Sequence, residues 1–225
     1  QWASVLGLMR STQFAILPAF LWSQGVRRFV TRFVTTNKKC WDRILPEPPL
    51  EVLQNLDVFS RSLQDENGRP IRPTPAQLLS DTDASGFGGG IVTRSLPTQA
   101  TAQWHWTQLE AQHHINWKEL ATHQIGLEAL DLELPGLILN RFISNRTDNT
   151  VSMSYVNRQG GRVPKLSYLA EALWYYLLDR GCSIQDQFLA GKLNVEADTV
   201  SRWWIDVSEY KLTREIFLQL NSLWG

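Results

Sequence analysis

The sequence predicts an α/β fold, in which a mixed five-stranded sheet is flanked by helices and preceded by an N-terminal helical segment. Two observations lead to this prediction. Three strand-like segments follow one another between residues 77 and 106, and helical and strand-like segments then alternate up to residue 204. Three strands in a row, followed by alternating helices and strands, are typical of a mixed sheet with helices on its faces.

The N-terminal third of the chain is predicted to be helical. Residues 1–36 have helical character, with Pro18 as a break between two pieces. Three prolines within 46–49 mark a hinge, and apolar residues recur at helical spacing between residues 50 and 63. The stretch at 66–76 contains the turn-forming residues of a linker, so we place a boundary there.

The predicted elements divide the chain into three parts, which are a helical segment at 1–76, a sheet domain at 77–204 and a C-terminal helical extension at 205–225. Strands of the sheet domain are predicted at 77–84, 86–93, 101–106, 137–147 and 183–189. Helices are predicted at 116–132, 149–157, 165–180 and 196–204, and a further helix at 213–223. In such a mixed sheet the ends of several elements can converge.

Charge is balanced over the whole chain but not along it. There are 22 Lys and Arg residues and 22 Asp and Glu residues, which excludes a uniformly basic protein that coats nucleic acid. Residues 1–43 nevertheless contain seven basic side chains and one acid. A solvated helix face and a surface that meets a polyanion explain this basic segment equally well. If it meets nucleic acid, the expected contacts are Arg27, Arg28, Arg32, Lys38 and Lys39.

Composition also indicates a compartment. Two cysteines supply neither a disulfide framework nor a metal-binding pattern, and no apolar run is long enough to span a membrane. We therefore expect an intracellular protein of the cytoplasm or nucleus, and, because the sequence does not start with Met, a piece of a longer polypeptide. The four histidines complete no zinc-ligand spacing and are predicted to lie on the polar surface.

Four acidic residues stand out because each lies at the end of a predicted element. They are Asp83, Glu119, Asp148 and Asp198. Carboxylates that converge repel each other, and hard divalent cations such as Mg²⁺, which take oxygen ligands, relieve this repulsion. Two such ions about 4 Å apart can hold a phosphoryl group during in-line displacement. Each acid also has a structural explanation: Asp83 as a turn residue, Glu119 in a capping box with Asn116, and the other two as helix caps.

The residues around these acids resemble four motifs of the RNase H domains of retroelements. In chain order the matching stretches are TDASGFGG at 82–89, HINWKEL at 114–120, TDNT at 147–150, and GKLN at 191–194 continuing to ADTVSR at 197–202. The stretch YVNRQGG at 155–161 and the end of the chain at 223–225 are most similar to DIRS-type, tyrosine-recombinase retrotransposons. In those polyproteins RNase H follows a reverse transcriptase, and residues 1–76 resemble the thumb and connection that precede it.

This resemblance implies the RNase H-like fold and a ribonuclease H activity. It implies that Asp83, Glu119, Asp148 and Asp198 are catalytic and bind two Mg²⁺ ions, for which Mn²⁺ can substitute. One ion would activate the attacking water, and the other would stabilise the leaving 3′ oxygen. The implied substrate is the RNA strand of an RNA–DNA hybrid, which is told from DNA by its 2′-OH. The implied partners are a polymerase domain upstream in the same polypeptide and other protein subunits, with no membrane.

One position departs from the family pattern. The family usually has His-Ile-Pro-Gly ten residues before the last Asp, and its His helps proton movement and product release. Here the matching stretch begins with Phe188, which cannot titrate. General acid–base catalysis typically contributes 10²–10⁴-fold, so the change predicts reduced activity.

Two other interpretations stay open. The first is a domesticated RNase H-like module, weakly active or inactive, that serves as a scaffold or RNA-binding part of a larger assembly. Phe188 and the net charge of zero favour it, and the complete set of four acids opposes it. The second is a different nuclease or a resolvase on the same fold, which would keep the metal ions and change the substrate.

Overall fold

The computed structural model describes residues 1–34, 43–66, 68, 75–94 and 99–208, and it contains one five-stranded sheet. The strands are β1 (Leu78–Ala84), β2 (Gly88–Thr93), β3 (Thr101–His105), β4 (Phe142–Thr147) and β5 (Ser183–Phe188). Their order across the sheet is β3-β2-β1-β4-β5. The pairs β1–β2 and β2–β3 are antiparallel, whereas β1–β4 and β4–β5 are parallel. The predicted mixed five-stranded sheet is therefore confirmed.

Helices flank this sheet and form the N-terminal segment. They are α1 (Trp2–Ser11), α2 (Ala19–Phe33), α3 (Leu50–Ser62), α4 (Ile115–Glu133), α5 (Thr150–Asn157), α6 (Pro164–Leu178) and α7 (Val195–Ser208). Helices α4 and α7 both pack across β1 and β2. They lie on opposite faces, because a β-carbon placed on Gly89 of β2 would lie 2.8 Å from Thr122 Oγ1 of α4, whereas one on the next residue, Gly90, would face Ser201 of α7.

Close packing of α7 on the sheet depends on a glycine. A β-carbon placed on Gly90 of β2 would lie 2.8 Å from both the backbone nitrogen of Ser201 and a methyl group of Val200. Any side chain at this position would therefore push α7 away from the strand. Because Asp83 pairs with Gly90 in the β1–β2 register, the same contact brings α7 against the end of β1.

Two local predictions are wrong. The fourth strand begins at Phe142 instead of residue 137, because Leu137 and Ile138 are buried within a turn and not in a strand. Buried apolar residues in such a turn cannot be told from a strand by pattern alone. The residue that caps α4 is His114, whose Nδ1 accepts the Asn116 N–H at 3.2 Å, so Asn116 is not the cap. The helix predicted at 213–223 lies outside the described residues.

The N-terminal helices share a hydrophobic core with the sheet. Buried side chains of α1 to α3, such as Trp22 and Phe59, belong to the same cluster as Leu173 of α6. Pro18 precedes α2 and has no side-chain acceptor to cap its N-terminus. Instead the Gln159 amide, from the chain segment after α5, accepts the Leu21 N–H at 2.7 Å. The division of the chain at residue 76 stays a prediction, as does the extension at 205–225, of which only the part up to 208 is described.

No helix in the part of the chain that the structure describes combines the length and the apolar character needed to cross a membrane.

Candidate active site

Three of the four predicted acids meet at one edge of the sheet. Asp83 lies near the end of β1, and Asp148 follows β4 directly. Since β1 and β4 are parallel neighbours, their carboxyl ends lie at the same edge, where α4 also begins and supplies Glu119. One carboxylate oxygen from each of the three residues lies within 4.8 Å of the others. This is the spacing of side chains that can hold one metal ion.

The fourth acid lies beside this group without belonging to it. Asp198 is in the first turn of α7, and its charge raises the pKa of both Asp148 and Asp83, for each of which burial is the largest cause. Arg202, one turn further along α7, donates from Nε to Asp198 Oδ1 at 2.7 Å. The structure thus brings three of the predicted acids within ligating distance of one another and places Asp198 nearby.

The electrostatics of the site favour a bound cation. Asp83 and Glu119 are only 5% and 3% exposed. Burial, with the neighbouring carboxylates, raises the pKa of Asp83 to about 6 and that of Glu119 to about 9. Among the described residues, Glu119 Oε2 has no hydrogen-bond partner although it is buried. Because an unpaired buried oxygen is costly, these carboxylates fit a hard divalent cation with oxygen ligands.

The structural explanations for Asp83 and Asp148 are wrong. Helix α5 is capped by Asn149, whose Oδ1 accepts the N–H groups of Val151 and Ser152 at 3.0 and 2.9 Å, so Asp148 is not the cap. The turn after β1 is held by Ser85, whose Oγ accepts the Gly88 N–H at 3.1 Å. Both carboxylates are therefore available to the site.

Two residues of α7 support the site, and although both lie in the fourth motif, no role was predicted for them from the sequence. Ser201 donates from Oγ to Asp83 Oδ2 at 2.7 Å, which opposes the rise in the pKa of Asp83. Arg202 holds Asp198, as described above. Both lie three or four residues after Asp198, and this spacing places them on the same helix face. That spacing was the signal that could have identified them.

Phe188 lies at the rim of this site. It ends β5, pairs in register with Thr147 of β4, and is 56% exposed. Thr147 immediately precedes Asp148, so the phenyl ring is carried by the strand next to the one that supplies this acid. Phe188 is thus the last residue of a strand rather than a loop residue, and its role stays a prediction.

The basic residues that were predicted to contact nucleic acid have different surroundings from one another. Arg28 is largely enclosed and forms ion pairs with Glu51 of α3 and Glu171 of α6. Arg27 donates to the carbonyl oxygen of Gly161. Arg32 is exposed at the end of α2. Lys38 and Lys39 lie outside the described residues. A role in nucleic-acid binding stays a prediction for this segment, and Arg27 and Arg28 are held by contacts within the protein.

Comparisons with known proteins find remote similarities to solved structures. No protein-family model and no curated protein matches the sequence. RNase H1 from the archaeon Halobacterium salinarum is 14% identical with a TM-score of 0.43, over 58% of this chain and 98% of that chain. LC11-RNase H1, solved with an RNA/DNA hybrid, is 16% identical with a TM-score of 0.44, over 58% of this chain and 96% of that chain. The foamy viral protease-reverse transcriptase, also solved with an RNA/DNA hybrid, is 18% identical with a TM-score of 0.35, over 83% of this chain and 24% of that chain.

These similarities concern the fold alone, and nothing about chemistry rests on them. The fold class follows from the sheet order and the helices on both faces, which form the mixed five-stranded arrangement expected from the sequence. What the site can do follows from its own carboxylates.

Proposed function

We propose that this protein is a metal-dependent endoribonuclease of the RNase H type, which hydrolyses the RNA strand of RNA–DNA hybrids. The observation that carries the proposal is the group formed by Asp83, Glu119 and Asp148, with ligand atoms within 4.8 Å of one another. Asp83 and Glu119 are buried and Asp148 is more exposed, and a carboxylate cluster with two buried members is costly unless a cation neutralises it. Phosphoryl transfer is a reaction for which such bound cations are suited.

Each acid has a definite part in this proposal. Asp83, Glu119 and Asp148 would hold one Mg²⁺ or Mn²⁺, and Asp198 would take part in holding a second. Bound there, the ions would supply an activated water and stabilise the leaving 3′ oxygen. Ser201 orients the Asp83 carboxylate, and Arg202 orients that of Asp198.

Glu119 makes metal binding dependent on proton release. Its pKa of about 9, raised by burial and by the neighbouring carboxylates, keeps a proton on the side chain at neutral pH in the metal-free protein. A carboxylate must lose its proton to act as a ligand. The site therefore exchanges a proton for a cation when it is loaded.

The wider context is proposed from the sequence motifs. We place the protein in a DIRS-like retroelement reverse transcriptase, with a polymerase domain upstream and other protein subunits as further partners. An intracellular location, in the cytoplasm or nucleus, belongs to the same proposal. The hybrid would be told from duplex DNA by its 2′-OH groups.

A second candidate function is favoured by Phe188. This side chain occupies the position of a titratable His in the resembled family, and it is exposed at the rim of the site. A domesticated module of low activity, which binds hybrid or RNA within a larger assembly, would tolerate this replacement.

A cleavage assay separates these functions. End-labelled RNA–DNA hybrid, double-stranded RNA and double-stranded DNA of one sequence are incubated with the protein in Mg²⁺ and in EDTA. We expect cleavage of the hybrid RNA only, and only with Mg²⁺. Cleavage that persists in EDTA would refute the metal-dependent mechanism. Binding of hybrid without cleavage in either Mg²⁺ or Mn²⁺ would favour the scaffold.

A further inference from the structure

A buried polar network lies between α4 and the sheet, beneath the carboxylates. Its central members are His123, Asn145 and Asp186, which are each almost completely buried. His123 Nε2 is 2.8 Å from Asp186 Oδ2. Asn145 Nδ2 lies 3.0 Å from Thr82 Oγ1, 3.1 Å from Asp186 Oδ1 and 3.0 Å from His123 Nε2. The network thus joins one helix to three neighbouring strands.

The hydrogen bonds fix how protons are distributed. His123 Nδ1 is 3.0 Å from the Glu119 carbonyl oxygen, which can only accept, so Nδ1 carries a hydrogen. One further proton lies between His123 Nε2 and Asp186. Asn145 Oδ1 accepts the Ser80 hydroxyl at 2.9 Å, so this amide uses its oxygen as well as its nitrogen. The central side chains are therefore satisfied, as a rigid buried network requires.

Every acid of the site is close in sequence to a member of this network. Thr82 immediately precedes Asp83, and Asn145 lies three residues before Asp148. His123 follows Glu119 by one helical turn and contacts its carbonyl oxygen.

The fourth acid is connected in the same way. Asn194 lies four residues before Asp198, and its Nδ2 donates to the Thr82 carbonyl oxygen at 3.0 Å. Repulsion among the carboxylates acts to separate the elements that carry them. A network that joins these same elements opposes the separation.

Stability alone does not account for such a network. A buried ion pair is often no more stabilising than well-packed apolar side chains in the same space, because both charges must be removed from water. The network does provide fixed distances between backbone segments, which apolar contacts specify less strictly. Its position directly behind the carboxylates is where fixed distances matter for metal binding.

We propose that His123, Asn145 and Asp186 are positioning residues that fix α4 relative to the ends of β1 and β4, and thereby set the cation affinity of the site. The inference rests on the proposed function, since it requires the carboxylates to bind metal. The three residues lie behind the carboxylates, and none of them would contact the cation.

The test replaces His123 and Asp186 by apolar residues. An effect on stability can then be told from an effect on the positions of the carboxylates. In His123→Leu/Asp186→Val no unpaired charge is left, and Asn145 keeps its bonds to Thr82 and Ser80 but loses its Asp186 acceptor. Thr82→Val is a second, milder variant that removes one of the two oxygen acceptors of Asn145. Leu177→Ala, in the buried face of α6, is the control for lost stability. Binding of Mn²⁺ alone is followed by electron paramagnetic resonance, with thermal melts and the kcat and KM for hybrid cleavage alongside.

We expect the double variant to melt below wild type, because one Asn145 N–H loses its Asp186 acceptor, and to bind Mn²⁺ about tenfold more weakly, the size of effect that residues behind metal ligands typically have. Thr82→Val should weaken Mn²⁺ binding by about threefold. Both should lower kcat more than they change KM, whereas Leu177→Ala should lower the melting temperature and leave Mn²⁺ affinity unchanged.

The outcomes distinguish this inference from the proposed function. Wild-type Mn²⁺ affinity in both Thr82→Val and the double variant would overturn the positioning role while leaving the proposed function intact. If the double variant does not fold, unchanged affinity in Thr82→Val is enough to overturn it. A wild-type protein that binds no Mn²⁺ would overturn the proposed function and this inference together.

Discussion

Gly191 lies against the carboxylate of Asp148. A β-carbon placed on this glycine would be 2.6 Å from Asp148 Oδ2, closer than real β-carbons approach an oxygen. The short 3₁₀ turn Gly191–Leu193 therefore touches the site through backbone alone. This contact links the segment that follows Phe188, the last residue of β5, to one of the three clustered acids.

From this contact we predict the effect of Gly191→Ala. The added methyl group should displace the Asp148 carboxylate and lower hybrid cleavage by about tenfold or more, since small misplacements at a reacting centre are costly. Stability should change little, because Gly191 is exposed. Gly86→Ala is the matched control, because no described atom lies within 4 Å of its added carbon. Equal activity in the two variants would show that Asp148 accommodates the methyl group.

The raised pKa of Glu119 predicts how stability varies with pH. This acid has a pKa of about 9 in the fold against a reference value of 4.5. A raised pKa stabilises the folded state fully below the unfolded-state value, and this contribution is lost as the pH rises towards the folded-state value. In EDTA, wild type should therefore lose stability relative to Glu119→Gln between about pH 5 and about pH 9.

Thermal melts of both proteins across this range measure the effect. The difference in melting temperature, Glu119→Gln minus wild type, should grow with pH. Added Mg²⁺ should raise the melting temperature of wild type most at high pH. A difference that stays constant with pH would contradict the assignment of a raised pKa to Glu119.

Phe188→His should increase activity. An imidazole at the rim of the site can transfer a proton, which a phenyl ring cannot, so we expect turnover to rise by about tenfold, below the usual range of acid–base effects. The variant should also acquire a pH dependence near the imidazole pKa of about 6.5. Hybrid cleavage by both proteins from about pH 6 to about pH 9 at fixed Mg²⁺ tests this expectation. High wild-type turnover without any gain from His would show that this position does not limit the reaction.

The arginines of α2 should separate into structural and surface residues. Arg28 forms ion pairs with Glu51 and Glu171, so Arg28→Gln should lower the free energy of unfolding by about 1.5–3 kcal/mol. Arg32 is exposed, so Arg32→Gln should change stability by less than about 0.5 kcal/mol. If Arg32 contacts a phosphate, its loss should reduce the slope of log K against log salt for hybrid binding by about one. Denaturant unfolding and binding at several salt concentrations measure these effects, and a stable Arg28→Gln would contradict the structural role.

How far the sequence predicts the site depends on how local each feature is. Asp83 and Asp148 could be located because each lies at the end of one strand within a short motif. The network behind them could not, because Asn145 and Thr82 are 63 residues apart, as are His123 and Asp186. A prediction that placed all four histidines on the polar surface was wrong for His123, which is buried by these distant partners.

Prediction of the fold from the sequence has the same limit. Strand positions and the mixed sheet follow from alternating patterns within single segments. The attachment of α2 to the rest of the protein does not follow from such patterns, because it depends on Gln159, which is 138 residues from its partner Leu21. The two arginines assigned to nucleic acid from charge alone are likewise engaged by residues that the sequence pattern does not place beside them.

The central claim is that the carboxylate group holds metal for cleavage of a hybrid, and Asp148→Asn tests it most directly. The substitution keeps the shape of the side chain and removes a ligand charge from the three-acid group. Asp179→Asn, at the exposed end of α6, is the matched control. Initial rates of RNA cleavage in a labelled RNA–DNA hybrid are measured for wild type and both variants over a range of Mg²⁺ concentrations. We expect wild type and Asp179→Asn to cleave with the same Mg²⁺ dependence and Asp148→Asn to be nearly inactive while melting as a folded protein; wild-type rates in Asp148→Asn would contradict the account.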